Sequence, residues 1–446
     1  MAALTPGLTL LERGDDDYEA ARTASVWNGL RPDRFPELIA LVRDVSEAQS
    51  AVRLAAERGL RVTVRSGGHS WSANHLRDGA LMIDLSRLTD VEVDVEREIA
   101  WVSPAVRGEQ LIRELRQHDL FFTTGHCNDV GLGGFTLGGG FGWMSRVHGM
   151  ACESVVALDV ITADGDLVRC DSEHNKDLYW AARGAGPGFP GIVVRLALRV
   201  YPLYPVMMLS TDLYPRAALD ELFLWLETII ATVPEALELR VNVSREHPGV
   251  DGVGLRVVGS TFAADADAAR HNLAILDSCP VLEQRVSSVR NAEADVLDVV
   301  MASDDFCKPG KRMVADNMWT GAPMEDLLPG IRRIADTMSH ESFLMWHLMG
   351  LDPKVPPGGF YSLRDRYAAC IYSVWGDASD DAALAAWPGD RMREMERYAT
   401  GIQINDENLG RRTAAVADES AVQRLQEICR ARDPEARFHS WPEYPE

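Results

Sequence analysis

The sequence predicts an α+β protein of two domains, and three observations carry that expectation. At 446 residues the chain is long for a single hydrophobic core. Up to about residue 203, short strands alternate with glycine-rich loops. Beyond Pro202-Leu203-Tyr204-Pro205, strands alternate with longer helical patterns, as expected for an antiparallel sheet covered by helices.

Taken in order, the spacing predicts a helix near 15–25 and an extended entry between Pro32 and Pro36. Ser46-Glu47-Ala48-Gln49 opens a helix that runs to Gly59, with Val52, Ala55 and Ala56 on one face. Leu60 to Val64 alternates as a strand and leads into Ser66-Gly67-Gly68-His69. Strands follow at 81–85, 91–95, 99–102, 155–161 (continued after a tight turn by Leu167-Val168) and 192–201, with helices at 108–118 and 177–183. In the second part, helices are expected at 217–232, 262–277, 323–338 and 383–397, and strands at 237–243, 252–260, 342–349 and 367–375. A last helix spans Glu419–Arg432. The expected division is 1–203 (core about 32–203), 204–415, and a C-terminal segment 416–446 that returns to the first domain.

Lys and Arg number 45 against 67 Asp and Glu, a net charge of −22. This argues against nucleic acid or an anionic membrane surface as the main partner. No apolar run approaches the length of a membrane span, and the start lacks a signal-peptide pattern. The seven cysteines are odd in number, scattered and without a CxxC pair. They read as reduced thiols of a cytoplasmic protein and argue against a zinc site.

Two loops stand out. One is Arg65-Ser66-Gly67-Gly68-His69-Ser70-Trp71. The other runs from Gly125-His126-Cys127 to Trp143, with seven glycines between Gly131 and Gly142. Glycine removes side-chain bulk and lets backbone N–H groups approach a large anionic ligand. A Rossmann site needs a sparser G-x-G-x-x-G after an apolar strand, and a P-loop needs Gly-Lys-Ser/Thr; neither pattern is present. A flavin held between the two loops fits better.

These loops, with Asp159-Val-Ile-Thr-Ala-Asp-Gly165, Asp177-Leu-Tyr-Trp-Ala-Ala-Arg-Gly184 and Gly191-Ile-Val193, resemble the berberine bridge enzyme-like group of vanillyl-alcohol oxidase (PCMH-type) flavoproteins. The motif similarity covers roughly residues 30–203. The resemblance implies a PCMH-type FAD domain of two α/β subdomains and a substrate domain of antiparallel sheet under helices. It implies FAD bonded covalently through both His69 (flavin 8α) and Cys127 (flavin C6). The implied cofactor-binding set is completed by Arg65, Ser66, Gly67, Gly68, Ser70, Val130, Gly131, Gly133, Gly134, Gly138, Gly139, Gly142, Glu153, Gly191 and Val193. Val130 matches a position where a small side chain accompanies reaction with molecular oxygen, which points to an oxidase.

Family relatives place catalytic tyrosines where this chain has Trp71 and Ile404. Cys370 stands for a glutamine or glutamate, and Ala368 for a lysine. Tyr372, which shares a strand face with Cys370, is therefore the first candidate base, and His347 the second. Trp71, Phe141, Cys370 and Ile404 are expected to shape the substrate pocket. Other departures are Asn128, Phe135, Phe189-Pro190 and a C-terminus without the family's asparagines. The implied reaction is hydride transfer from an alcohol, hemiacetal or similar C–H of a bulky substrate (a sugar or specialised metabolite) to flavin, with oxygen as acceptor. Oxidative cyclisation, amine oxidation and a flavin-holding protein with a degenerate site are the alternatives.

Overall fold

The computed structural model describes residues 7–301, 310–350, 358–406, 412 and 414–439. Four strands form the first sheet: β1 (Thr9–Glu12), β2 (Leu38–Leu41), β3 (Val62–Arg65) and β4 (Leu81–Asp84), in the order β1-β2-β4-β3. β2, β4 and β3 run parallel, and β1 is an antiparallel edge. The crossover helix Val45–Arg58 starts where the Asp44 carboxylate accepts the Glu47 N–H, and it ends at Gly59 in the left-handed conformation. Its Ala48, Ala51, Val52 and Ala55 bury against Leu38, Val62, Leu81 and Ile83.

Next in the chain come β5 (Val91–Asp94), β6 (Ile99–Val102), β7 (Leu120–Phe121), β8 (Val155–Ile161), β9 (Leu167–Asp171), β10 (Ile192–Arg199) and β11 (Tyr201–Pro202). β5-β6-β10-β8-β9 form an antiparallel sheet, and β7 pairs with β11.

The remaining strands are β12 (Val206–Pro215), β13 (Leu237–Ser244), β14 (Gly254–Ala263), β15 (Ser287–Ala294), β16 (Arg312–Thr320), β17 (Phe343–Leu348) and β18 (Tyr367–Trp375). They build one antiparallel sheet, β15-β12-β14-β13-β17-β18-β16. Helices Leu219–Ile229, Ala266–Leu273, Met324–Thr337 and Asp381–Met395 close one face, where Leu222, Leu226, Ile331 and Met392 pack with Val241, Leu344 and Trp346. Alternation along β17 turns Phe343, Met345 and His347 to the other face, toward the first two sheets.

Helix Glu419–Arg432 returns the chain to the N-terminal part. Arg432 holds Asp177 through two 2.7 Å contacts, and Val62 bridges to Phe438 alongside β3.

β1, β2, β7, β12, β15 and β16 have no counterpart among the strands expected from the sequence. β16 is buried along nearly its whole length yet carries Asp316 and Asn317, so neither a period of two nor an apolar run marks it. β15 is an exposed edge strand with a polar sequence.

Candidate active site

The two glycine loops meet backbone to backbone. A Cβ on Gly67 would stand 2.7 Å from the Cα of Gly131, and one on Gly131 would stand 2.7 Å from the Cα of Gly67. Only glycine on both sides allows that approach. The first loop leaves β3 at Arg65, whose Nη1 is 3.0 Å from Asp84 on β4. It then turns through Gly68 at φ +75°. The second loop enters the short helix Leu132–Leu137 from Gly131. The first two N–H groups of that helix are already engaged: Leu132 donates to Val106 O and Gly133 to Pro104 O, both at 2.8 Å.

Between these loops and the large sheet lies a cavity of about 310 Å³. One wall is the flavin side: Arg65 to Trp71, Gly125 to Cys127, Val130, Gly131, Gly133, Gly134, Gly191 and Val193. The other is Phe343, Met345, His347 and Tyr372, closed by Gln403 to Asp406. The residues present fit an FAD. The glycine contact leaves a backbone-lined cleft, and Arg65 Nε is a buried donor without a partner, suited to an anionic or carbonyl group.

His69 lines the cavity, stacked on Trp27 with ring centroids 4.3 Å apart and planes 12° apart. Its Nε2 lies 3.1 Å from Asp129 Oδ1. Burial pushes the Asp129 carboxyl up, but the His69 hydrogen bond and charge outweigh it, and Asp129 sits below its ordinary value. An ionised carboxylate only accepts, so Nε2 carries the hydrogen of that bond, and Nδ1 is the ring nitrogen that the bond leaves unengaged.

Cys127 also lines the cavity, but it is disulfide-bonded, while Cys152, Cys170, Cys279, Cys370 and Cys429 are free thiols. Cys307 lies outside the described residues. The expectation of uniformly reduced thiols is therefore corrected at Cys127. A sulfur in a disulfide has no free thiolate, so a bond from Cys127 to flavin C6 requires that the disulfide be opened first.

Several expected cofactor residues lie away from the cavity wall. A Cβ on Gly138 would collide with the Asn405 amide, one on Gly139 with the Tyr361 ring, and one on Gly142 with Thr124 O. These glycines serve chain packing. Glu153 accepts the Met150 N–H at 2.8 Å and lies 3.4 Å from Arg364, as a staple of its own turn. Cys370 is buried behind Met345 and Tyr372. Trp71, Phe141 and Ile404 do line the cavity.

The cross-strand register orders the substrate-side wall in rows. Tyr372 pairs with Phe343, Cys370 with Met345, and Ala368 with His347. At the Tyr372 end stands Asp406, which the sequence analysis passed over. Its Oδ1 accepts Trp71 Nε1–H at 3.0 Å and its Oδ2 accepts the Tyr372 hydroxyl at 3.2 Å. Burial pushes the Asp406 carboxyl above its ordinary value, and the Trp71 and Tyr372 hydrogen bonds offset only part of that. Burial, then the neighbouring Asp406 charge, push the Tyr372 hydroxyl well above the usual phenol range. Tyr372 is thus a proton donor to Asp406 in the resting site.

The segment carrying Asp406 is held by β16. Asn317 Nδ2 donates to Gln403 O at 2.9 Å and to Asp406 O, and Gln403 N–H donates to Asn317 Oδ1 at 2.7 Å. Arg412 is buried against Asp316 beside it. A signal for Asp406 was available: in the family stretch Tyr-x-Asn-Tyr-x-Asp, aligned so that Ile404 takes the second tyrosine, Asp406 falls on the final aspartate.

His347 sits at the opposite end of the wall. Burial first, then the nearby His126 charge, pull its pKa down to about 3, so the ring is neutral and weakly basic at neutral pH. It stacks on His126 at 5.5 Å and meets Phe141 edge-on at 4.8 Å. His126 in turn is 2.8 Å from Glu238, which Arg240 also holds at 2.9 Å.

Residues 36–171 match the FAD binding domain family model. The chain is 33% identical over 430 residues to the FAD-linked oxidoreductase nodO of Hypoxylon pulicicidum, covering 95% of this chain and 94% of that protein. This chain belongs to the FAD-linked oxidoreductases. The xylooligosaccharide oxidase of Thermothelomyces thermophilus is 39% identical, with 91% of this chain and 86% of that protein covered. Among solved structures, Physcomitrella patens BBE-like 1 superposes with a TM-score of 0.86 at 20% identity, covering 99% and 98% of the two chains. The 6-hydroxy-D-nicotine oxidase of Arthrobacter nicotinovorans gives 0.85 at 22%, covering 100% and 99%. At those identities the superpositions speak for the PCMH-type fold alone. The protein is an FAD-binding enzyme, and among its described residues no helix is long and apolar enough to cross a membrane.

Proposed function

We propose that this oxidoreductase is an oxidase that removes a hydride from a C–H bearing a hydroxyl or amine on a bulky, largely apolar substrate, with Asp406 as the proton acceptor. The observation that carries this reading is the half-buried Asp406 carboxylate, hydrogen-bonded by Trp71 and Tyr372 at the cavity wall. Bound FAD supplies the hydride-accepting ring and hands the electrons on to oxygen. Asp406 takes the substrate O–H or N–H proton directly, or Tyr372 takes it while passing its own proton to Asp406 Oδ2. Trp71 fixes Oδ1, and the Phe343 ring, stacked on Tyr372 at 4.7 Å, fixes the phenol. Phe141, Phe343, Met345 and Ile404 exclude water and favour an apolar substrate body over a sugar.

His69 is the attachment point for the cofactor through Nδ1, since Asp129 occupies Nε2. Cys127 is the second attachment point once its disulfide is opened. Val130 at the cavity wall supports oxygen as acceptor.

The test is anaerobic mixing of the holoenzyme with a panel of aryl and terpenoid alcohols and amines. Bleaching of the flavin, followed by peroxide on re-aeration, is the expected result, and a panel that leaves the flavin oxidised throughout defeats the reading. For attachment, denatured wild type is expected to keep its flavin and peptide mapping to find it on His69. A His69→Ala protein that keeps flavin after denaturation assigns a bond to Cys127; one that loses it leaves His69 alone.

A further inference from the structure

The cavity wall has a second polar end that the proposed chemistry does not use. Along β17, Phe343 lies beside the Tyr372–Asp406 pair, Met345 follows, and His347 is four residues on, roughly 13 Å at strand spacing. The stretch between is apolar: Met345 lines it, with its strand partner Cys370 buried behind. His347 lines the cavity, is almost fully buried, and makes no hydrogen bond among the described residues; its Nδ1 is a buried nitrogen without a partner. Buried ring nitrogens are ordinarily paired, so a histidine that lines a cavity and makes no hydrogen bond among the described residues marks a place where a ligand group completes the set. Its surroundings hold it in place. His126 stacks on it, Phe141 closes its edge, and Glu238 with Arg240 balance charge behind it. A buried neutral imidazole suits a neutral hydroxyl or N–H and disfavours a carboxylate or an ammonium.

We infer that His347 is the second recognition point of the substrate site, binding a hydroxyl or N–H at the far end of an elongated, otherwise apolar substrate whose near end is oxidised beside Asp406. The inference rests on the proposed reading of Asp406 for the position of the near end. It assigns His347 to binding rather than to proton transfer, and it makes the substrate a molecule with two polar ends, such as a hydroxylated polycyclic alcohol or amine.

The test uses two probes, 4-(hydroxymethyl)biphenyl and its 4′-hydroxy derivative, titrated anaerobically into holoenzyme carrying Asp406→Asn so that binding is read without reduction. Binding is followed by the change in flavin absorbance. The 4′-hydroxyl is expected to tighten binding about 10-fold, the worth of one good hydrogen bond. Adding His347→Leu should erase that difference while leaving the affinity for the unhydroxylated probe and the flavin content unchanged. His347→Gln, which keeps a neutral hydrogen-bonding group, should restore part of it. Equal affinities with His347 present, no binding of either probe, or a preference that survives His347→Leu overturns the inference. So does a His347→Leu protein altered only in its flavin spectrum, because that places His347 against the cofactor. Bleaching of the Asp406→Asn protein as fast as wild type defeats the base reading alone; the hydroxyl preference is then read from the concentration dependence of bleaching.

Discussion

The two walls of the cavity are built by different means. The flavin side is a backbone construction, in which two loops close enough to touch through Gly67 and Gly131 present main chain to the ligand. The substrate side is a side-chain construction, in which Trp71, Asn317, Tyr372 and Asp406 converge from four separate stretches of chain. A backbone wall tolerates almost no substitution at its contact points but says little about the substrate. A side-chain wall can be re-specified residue by residue while the fold stays the same. The PCMH-type fold shared with relatives at 20% identity, beside a substrate face without the expected tyrosines, is that contrast within one molecule.

The sharpest way to break the comparison is to put a methyl group on the backbone wall. Gly131→Ala forces its Cβ onto Gly67, and we expect the purified protein to lack flavin or to fail to fold; full flavin loading, read by absorbance, would show that the loops can part. On the other wall, Asp406→Asn should keep its flavin and slow anaerobic bleaching by about 10² to 10⁴-fold, the usual span for a lost proton acceptor. The pH profile sharpens this. As proton acceptor Asp406 must be ionised and burial raises its pKa, so the rate should fall as pH drops through a value above that of an ordinary aspartate. That limb should vanish in Asp406→Asn. Asn317→Ala removes the clamp on residues 403–406; kcat should fall by about 10-fold with little change in KM, because the base loses its position and not its chemistry.

The smallest effect lies behind His347. Burial pushes Glu238 up, but His126 and Arg240 outweigh it and hold its carboxyl at about 2. Its folded pKa is below the unfolded value, so its stabilisation is present above about pH 4.3 and is lost as pH falls toward 2. Glu238→Gln should cost about 2 kcal/mol at neutral pH by thermal or urea unfolding, with the difference from wild type shrinking in acid.

How much of this was legible varies with how local each feature is. The loops at 65–71 and 125–142 announce themselves, because a run of glycines beside a histidine or cysteine has few other uses. Helix Val45–Arg58 and strands β17 and β18 follow from their period. β16 does not, because a strand buried along its length with Asp316 and Asn317 in its middle matches no simple pattern. Gly138, Gly139 and Gly142 looked like cofactor glycines, yet each makes room for a neighbour in the chain, a distinction that composition does not carry.

By itself the sequence determined the FAD-binding fold, the two loops that meet at the cavity, and His69 at its edge, since each rests on residues adjacent in the chain. The tertiary structure decided the rest. It brought Asp406 between Trp71 and Tyr372 at the cavity wall, made His347 neutral and left it without a hydrogen bond among the described residues, and tied Cys127 in a disulfide. Those properties depend on burial and on partners dozens to hundreds of residues away, and desolvation is a property of the folded surroundings, not of the residue.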